Sequence, residues 1–252
     1  MEISGKKVVV IGGASGFGRA SAELLASQGA KVAILDREGS DGPEVASAVG
    51  GPFLPVDVTD FAGTEKVLAD AVEALGGLHV VLTTAGGGSP EKTFGKNGPH
   101  SLETFQNAIN LNLIASFNIS RLAAAHMANN EPEDEERGVI INTASIAAFE
   151  GQIGQVAYTA AKAGIAGMCL TMARDLGSVG IRALAIAPSL FATGLTKGIP
   201  DEFAKALTKD AAFPKRLGRP EEFAKLVSAI VENPMLNGQC IRLDAGQRFA
   251  PK

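Results

Sequence analysis

Short apolar runs alternate with longer amphipathic segments along the whole chain of 252 residues. Strands buried on both faces are predicted where several successive residues are apolar: residues 8–11, 32–35, 80–82, 139–141 and 183–186. Helices are predicted where apolar residues recur with helical periodicity: roughly residues 16–28, 42–49, 60–75, 101–129 and 155–177. These repeated strand–helix units predict an α/β fold, namely a single Rossmann-type, doubly wound parallel sheet with helices on both faces.

The pattern changes after residue 188, where a loop over residues 188–194 precedes shorter helical stretches near 200–211 and 220–232. A last strand is predicted over residues 239–243. A long excursion after the carboxyl end of a sheet strand is a common position for a segment that covers a ligand. We therefore expect one domain over residues 1–252, with a substrate lid around 188–215. The acidic run at residues 131–136 is interpreted as a solvated loop without a function.

Composition favours one domain with a large core, because 46% of the residues are hydrophobic and 20% are charged. The net charge of −4 gives no electrostatic reason to expect a nucleic-acid partner. No apolar run reaches the ~20 residues that a membrane span needs. The first strand also follows the start of the chain too closely for a secretory leader. The expected location is therefore cytoplasmic, without membrane contact.

Cysteine and histidine spacing gives no sign of a metal site. Cys169 and Cys240 lie far apart in apolar segments, which is typical of free thiols in a reducing compartment. His79, His100 and His126 are scattered, without a cysteine or carboxylate at metal-ligand spacing. We predict that no metal is bound.

The chain has one tyrosine, Tyr158, and it stands four residues before Lys162 in a predicted helix. Residues four apart share a helix face, so the Lys162 ammonium can lie near the phenol and favour its ionised form. Together with Ser145, these groups could exchange a proton with a substrate alcohol or carbonyl. The alternative is a tyrosine that packs a helix against the sheet beside a solvated lysine, since this spacing often arises by chance.

A glycine-rich turn, GGASGFG at residues 12–18, follows the first strand and opens the first helix. Glycines let the backbone turn sharply and approach a pyrophosphate, whose charge is favoured by the N-terminus of a helix. Asp36 ends the second strand, where a carboxylate can bind both adenosine ribose hydroxyls and repel a 2′-phosphate. NAD is therefore favoured over NADP, although Arg37 could soften that repulsion if it is not merely solvated. Asp57 and Val58 could meet the adenine edge.

With this turn, and with Ser145, Tyr158, Lys162 and Asn112, the chain resembles the short-chain dehydrogenase/reductases over essentially its full length. The resemblance implies that Tyr158 is the general acid/base and that Ser145 hydrogen-bonds the reacting oxygen. It implies that Lys162 binds the nicotinamide ribose and lowers the pKa of Tyr158. Asn112 would hold a water that links Lys162 to solvent for proton relay.

The resemblance also implies a cofactor-binding set, in which Thr193 would contact the nicotinamide carboxamide. The set comprises Gly12, Ser15, Gly16, Phe17, Gly18, Asp36, Asp57, Val58, Ala85, Gly86, Tyr158, Lys162, Pro188, Phe191 and Thr193. An NAD-sensing protein without turnover is the alternative from another functional class, and such a protein would be expected to lack part of the catalytic set.

Further segments resemble one branch of this family, the type 2 3-hydroxyacyl-CoA dehydrogenases, a branch also known for 17β-hydroxysteroid dehydrogenase activity. They are RGVIINTAS at residues 137–145, AFEGQ at 148–152, ENP at 232–234, LNG at 236–238 and the loop at 89–100. The branch implies interconversion of 3-hydroxyacyl-CoA and 3-ketoacyl-CoA, with a hydroxysteroid or other secondary alcohol as the alternative substrate. It also implies a homotetramer.

Two sets of residues could contact such a substrate. An acyl channel could be lined by Phe149, Leu190, Phe191 and Leu195, although ordinary packing is equally consistent with each. The phosphates of CoA could be bound by three lysines, Lys92, Lys96 and Lys197, although exposed loop lysines are usually only solvated.

The chain departs from the family pattern in three places, at four positions. Ile11 replaces a threonine, Thr83 and Thr84 replace two asparagines, and Ser189 replaces a glycine. The first two changes put in doubt the hydrogen bonds that brace the glycine turn and the central sheet, although Thr84 could supply part of that bonding. Ser189 would narrow the backbone freedom beside the nicotinamide.

Overall fold

The computed structural model describes residues 1–96, 98–196 and 198–249. A seven-stranded sheet forms the centre, and each pair of neighbouring strands is parallel. Its strands in chain order are β1 (Lys7–Ile11), β2 (Lys31–Asp36), β3 (Phe53–Pro55), β4 (Val80–Thr83), β7 (Gly138–Thr143), β8 (Ile181–Pro188) and β9 (Cys240–Leu243). A separate antiparallel pair consists of β5 (Phe94–Gly95) and β6 (Gly98–Pro99). The predicted doubly wound parallel sheet is therefore confirmed.

Helices cover both faces of this sheet. They are α1 (Gly16–Ser27), α2 (Gly42–Val49), α3 (Phe61–Leu75), α4 (Leu102–Ile109), α5 (Ala115–Met127), α6 (Val156–Leu176), α7 (Asp201–Leu207) and α8 (Pro220–Glu232). Alternate residues of β1 point to opposite faces. Val8 and Val10 belong to one apolar cluster, whereas Val9 and Ile11 belong to another. Strands buried on both faces explain the uninterrupted apolar runs in the sequence.

The strand order is β3-β2-β1-β4-β7-β8-β9. Successive strands are added toward one edge from β1 to β3 and toward the opposite edge from β4 onward. Crossovers after β1 run toward one edge of the sheet, and those after β4 run toward the other. Loops on the two sides therefore separate above the carboxyl ends of β1 and β4 and leave a crevice, which is the usual ligand position in such sheets.

Two local features differ from the sequence-based expectations. The single helix expected over 101–129 is divided, because Asn110–Ile114 forms a π-helical turn between α4 and α5. The loop at 89–100 contains the short β5–β6 pair. In addition, β3 has only three residues and contains a proline, so it gives no recognisable apolar run.

The acidic run at 131–136 is only partly the solvated loop that was expected. Glu136 is buried, and its carboxylate contacts Arg182 on β8 at 2.7 Å. The same carboxylate accepts a hydrogen bond from the amino group of Met1 at 2.9 Å. The interpretation of this run as wholly solvated was therefore wrong, because its last residue pairs with a charge inside the fold.

Among the described residues, one helical stretch, Val156–Val179, is long and apolar enough to cross a membrane by length and composition alone, with a mean hydropathy of 1.2. This stretch contains α6, which packs on β8 and carries both Tyr158 and Lys162. Its apolar composition is accounted for in part by that packing. The expectation that no segment of the sequence reaches membrane length was therefore wrong for this stretch, on length and composition alone.

Candidate active site

A cavity of about 550 Å³ opens in the crevice above the carboxyl ends of β1, β2, β4, β7 and β8. It brings together residues that are far apart in the sequence. The predicted site residues that line it are Gly12, Ser15, Gly16, Phe17, Asp36, Asp57, Val58, Ala85, Gly86, Ser145, Tyr158, Lys162, Pro188, Phe191 and Thr193. Gly18 and Asn112 are not among the lining residues, and their contacts give them a supporting role.

The glycine turn is tight at two positions. Gly12 has a φ of +83°, and a side chain there would collide with the backbone of Ala85. A Cβ on Gly18 would overlap the carbonyl of Gly12, so glycine at 18 lets α1 lie close against the turn. Ser15 is the N-cap residue of α1, and its hydroxyl makes no capping bond with the described residues. This end of the cavity therefore offers a hydroxyl and the N-terminus of a twelve-residue helix to an anion.

The carboxylate of Asp36 is fixed at the end of β2. It accepts hydrogen bonds from the backbone N–H groups of Ala14 at 2.9 Å and Arg37 at 2.7 Å. Asp57 lies on the same wall, where hydrogen bonds from the Thr59 hydroxyl and N–H lower its pKa and the charge of Arg37 lowers it further. Two carboxylates and one guanidinium thus surround this part of the cavity. A carboxylate held in this way can accept hydrogen bonds from the hydroxyls of a ribose.

Ser145 and Tyr158 lie on the opposite side. Ser145 follows β7 and caps a short 3₁₀ turn, Ile146–Ala148, where its hydroxyl oxygen accepts from the N–H of Ala147 at 3.1 Å. Tyr158 is in the first turn of α6. Burial raises the pKa of Tyr158, while interaction with the Ser145 hydroxyl acts in the opposite direction. Lys162 is not among the causes of this shift, so the expected lowering of the Tyr158 pKa by Lys162 is not found in these contacts.

Lys162 is buried, with 3% of its surface exposed. Its ammonium donates a hydrogen bond to the carbonyl of Thr143 at 2.8 Å and lies 5.5 Å from the centre of the Tyr158 ring. Burial lowers its pKa to about 8. The alternative of a solvated lysine is therefore excluded. A buried ammonium with one protein acceptor keeps donors for a ligand in the cavity.

Asn112 holds the loop after β4 in place. Its amide nitrogen donates to the carbonyls of Gly87 at 2.7 Å and Ala108 at 2.8 Å, and its oxygen accepts from the N–H of Gly87 at 3.1 Å. Asn112 lies in the π-helical turn, and the same oxygen lies close to Gly86. The side chain is thus engaged with backbone groups, and the water relay assigned to Asn112 stays a prediction.

The base of the predicted lid is formed by aromatic rings. Phe17 stacks on Phe223 with a centroid separation of 4.2 Å and meets Phe191 edge-on at 5.0 Å. Phe191 is buried in the core. Phe17 and Phe191 therefore connect the cofactor end of the cavity to α8 by packing, although both rings also border the cavity.

The two substrate-contact sets are only partly brought to the cavity. Leu190 and Phe191 border it, whereas Phe149 lies outside and is half exposed. The side chain of Leu195 and the whole of Lys197 lie outside the described residues. Lys92 borders a second, more open cavity of about 470 Å³ together with Phe94, and Lys96 is exposed between β5 and β6. The acyl channel and the CoA-phosphate contacts stay predictions.

The family departures have simple structural consequences. The hydroxyl of Thr84 lies 3.1 Å from the carbonyl of Ile11 and 3.0 Å from that of Gly12, so Thr84 does brace the glycine turn. Ser189 has no positive φ, and its N–H donates to the carbonyl of Leu243 at 3.1 Å. A glycine is therefore not required at position 189 by the backbone.

Sequence reasoning missed contributors that act through backbone atoms or small side chains. The Thr143 carbonyl, which holds Lys162, carries no signal in a sequence. Thr196 borders the cavity and its hydroxyl donates to the carbonyls of Phe191 and Thr193. Threonine in a loop often forms such hydrogen bonds to nearby backbone groups. Because loop threonines are common, this signal in the sequence does not identify Thr196 as a site residue.

The described part of the chain contains no group of three or more His, Cys, Asp or Glu residues arranged for a metal ion. Both cysteines are free thiols, and burial raises the pKa of Cys169 to about 12 and that of Cys240 to about 11. High thiol pKa values make these residues poor nucleophiles at neutral pH. Neither thiol contributes to the cavity.

Comparisons with known proteins agree with this geometry. Residues 6–207 match the family model for short chain dehydrogenase. A curated relative named 3-hydroxyacyl-CoA dehydrogenase type-2 from Drosophila melanogaster is 49% identical over 248 residues, covering 96% of this chain and 97% of the relative. The crystal structure of 3-hydroxyacyl-CoA dehydrogenase type-2 from Mycobacterium avium has a TM-score of 0.93 at 39% identity, covering 98% of both chains. A 7α-hydroxysteroid dehydrogenase in complex with NADH and 7-oxo glycochenodeoxycholic acid has a TM-score of 0.87 at 25% identity, covering 100% of this chain and 97% of that one.

Proposed function

The chain belongs to the short-chain dehydrogenase family, and on that premise we propose that it uses NAD to interconvert 3-hydroxyacyl-CoA and 3-ketoacyl-CoA. The family establishes an oxidoreductase with a nicotinamide dinucleotide cofactor. The choice of acyl-CoA rests on relatives that carry that activity in their names at 39–49% identity over nearly the whole chain. The observation that carries the chemistry is the convergence of Ser145, Tyr158 and Lys162 on one cavity.

Tyr158 is proposed to exchange a proton with the substrate oxygen, and Ser145 to hold that oxygen by a hydrogen bond. The bound dinucleotide supplies or accepts the hydride. Burial keeps the phenol protonated at neutral pH, which suits proton donation to a ketone. For the reverse reaction the phenolate must form, and the neighbouring Lys162 ammonium would stabilise its charge. Preorganised donors at the reacting oxygen stabilise the charge that develops there.

NAD is proposed in preference to NADP because of Asp36. Its carboxylate is held by two N–H groups at the end of β2 and cannot easily turn away from the ribose position. Arg37 is exposed on the same cavity wall, near Asp57. We expect Asp36→Ala to raise kcat/KM with NADPH relative to NADH. An unchanged cofactor ratio would contradict this role for Asp36.

The test of the activity is reduction of acetoacetyl-CoA with NADH, followed at 340 nm for the wild type and for Tyr158→Phe. Loss of the hydroxyl is expected to lower kcat by about 10²–10⁴-fold while NADH still binds. Normal turnover by Tyr158→Phe would overturn the proton-transfer role. Absence of turnover by the wild type would overturn the substrate assignment.

A hydroxysteroid is the second candidate substrate. The similarity to a 7α-hydroxysteroid dehydrogenase supports it, as do the apolar residues Leu190 and Phe191 beside the cavity. A panel of steroid ketones should be assayed beside acetoacetyl-CoA. A higher kcat/KM for a steroid would favour this alternative.

A homotetramer is proposed from the family resemblance and from exposed apolar side chains. Ile114, Phe117 and Leu170 are all 39–50% exposed on the helical surface. Burial of such residues between subunits would stabilise an assembly. Light scattering should give four times the chain mass, and a monomer would contradict the proposal. A cytoplasmic location is also proposed, since it fits the two free thiols.

A further inference from the structure

Glu150 connects the Ser145 turn to the last strand and the segment that follows it. It lies five residues after Ser145, and its N–H donates to the carbonyl of Ile146 at 2.9 Å. Its carboxylate contacts the Arg242 guanidinium at 2.8 Å and accepts a hydrogen bond from the N–H of Phe249 at 3.0 Å. Both partners lie more than ninety residues away in sequence, at opposite ends of segment 242–249. Glu150 is therefore the point at which the Ser145 turn is attached to that segment.

Segment 242–249 is internally cross-linked. Asp244 accepts from Arg242 at 2.6 Å and from Arg248 at 3.0 Å, and Arg248 also lies 3.4 Å from Glu150. Two arginines thus face two carboxylates, so the cluster is neutral overall. The side chains of Glu150, Arg242 and Asp244 are only 10–22% exposed, which limits screening of these pairs by water.

The same segment holds the far end of the predicted lid. Gln247 is buried, and its amide nitrogen donates to the carbonyl of Leu207 at the end of α7 at 3.0 Å. The carbonyl of Ala245 accepts from the N–H groups of Ala212 and Phe213 at 3.0 and 3.2 Å. One short segment therefore contacts the catalytic serine turn on one side and the lid on the other.

We propose that Glu150 and Arg242 are positioning residues that fix the Ser145 turn and the far end of the lid relative to each other. The proposal rests on the proposed function, because it assigns these residues to the substrate side of that site. Arg242 adds a second contact, since its guanidinium lies 5.3 Å from the centre of the Phe149 ring. Loss of the Glu150 carboxylate would release the turn and the segment together, and the lid would lose a fixed support.

The first test is steady-state kinetics of Glu150→Gln and Glu150→Ala with acetoacetyl-CoA. Misplacement of groups around a reacting atom is costly, so we expect Glu150→Ala to raise KM by roughly ten- to hundredfold. Glu150→Gln retains an acceptor for the Phe249 N–H and should lie between the wild type and Glu150→Ala. The Kd of NADH should be unchanged in both variants, because the cofactor end of the cavity does not contact Glu150. An unchanged KM in Glu150→Ala would overturn the proposal.

Glu136→Gln is the matched control, because Glu136 also pairs with an arginine but lies at the amino end of the sheet. It should lower stability and leave KM unchanged. A rise of KM in Glu136→Gln equal to that in Glu150→Ala would mean that general destabilisation is the cause, and would overturn the proposal.

Amide hydrogen exchange tests the coupling without any substrate. In Glu150→Ala, exchange should rise both in residues 146–156 and in residues 207–213, and in Glu136→Gln it should rise in neither. Faster exchange on one side only would overturn the coupling. If the wild type does not reduce acetoacetyl-CoA but both segments respond in Glu150→Ala, the proposed function fails and the coupling is supported.

Discussion

Lys162 and Arg182 are two cations buried among the described residues, and their surroundings differ. Arg182 lies on β8, where its guanidinium pairs with Glu136 at 2.7 Å. It also donates to the carbonyls of Ile230 and Val231 at 2.8 and 3.0 Å, which belong to the last turn of α8. Lys162 has one hydrogen bond, to a backbone carbonyl, and no carboxylate within ion-pair distance in the described chain.

The difference shows how the two ends of the sheet are used. At Arg182 a carboxylate and carbonyls from the last turn of α8 compensate the charge, so the loss of this group should be costly. At Lys162 the cost of burying a charge is left largely uncompensated, and its pKa falls to about 8. A perturbed ionisable group in a cavity is typical of a functional site. Arg182 at the amino end of the sheet therefore supports the fold, whereas Lys162 at the carboxyl end fits the role in the reaction that we propose for it.

The largest expected effect is that of Lys162→Met. Activity should fall by about 10²–10⁴-fold, because the ammonium that we propose stabilises the phenolate of Tyr158 during turnover is lost. Stability should stay the same or rise, because methionine fills a similar volume without a buried charge. We would measure kcat/KM at neutral pH together with urea unfolding. A large loss of stability in this variant would remove the contrast with Arg182.

The opposite result is expected for Arg182→Met. Removing Arg182 leaves the buried Glu136 carboxylate with the amino group of Met1 as its remaining charged partner, which should lower the free energy of unfolding by about 3 kcal/mol. The kcat and KM of the folded protein should be unchanged, because Arg182 does not border the cavity. The double variant Arg182→Met/Glu136→Leu should recover part of the stability, and the absence of any recovery would argue against the pair as the cause.

The pH dependence of stability should separate the two cations further. The pKa of Lys162 is about 8 in the folded protein, below its ordinary value of 10.5, so the unfolded chain binds more protons between these values. Stability of the wild type relative to Lys162→Met should therefore be lowest below pH 8 and rise towards pH 10.5, by on the order of 3 kcal/mol. The free energy of unfolding should be measured for both proteins from about pH 7 to pH 11. A difference between the two proteins that does not change with pH would contradict the lowered pKa of Lys162.

The sequence was sufficient where local pattern and sheet topology act together. Parallel strands buried on both faces give apolar runs that are easily recognised, as in β1 and β8. Because parallel strands end at one edge, residues that follow different strands, such as Asp36 and Ser145, are brought to one cavity. Tyr158 and Lys162 follow from the four-residue spacing of a helix.

Contacts between distant residues and contacts through backbone atoms could not be predicted from the sequence. Glu136 looked like part of a charged loop, and only its contact with Arg182, 46 residues away, makes it a buried group. The π-helical turn around Asn112 changes helix geometry without changing the apolar pattern. The low pKa of Lys162 arises from burial by several elements, which residue spacing does not encode.

Thr84 combines features of Lys162 and Arg182, and its replacement should give the smallest effect. Its hydroxyl is at the carboxyl end of the sheet but bonds to the carbonyls of Ile11 and Gly12, so it stabilises the turn rather than taking part in proton transfer. Thr84→Val should lower the free energy of unfolding by about 1 kcal/mol and raise the Kd of NADH by at most about fivefold. Thr84→Ser keeps the hydroxyl and should match the wild type in both measurements. A loss of kcat with an unchanged Kd in Thr84→Val would instead place Thr84 with Lys162 as a participant in the reaction.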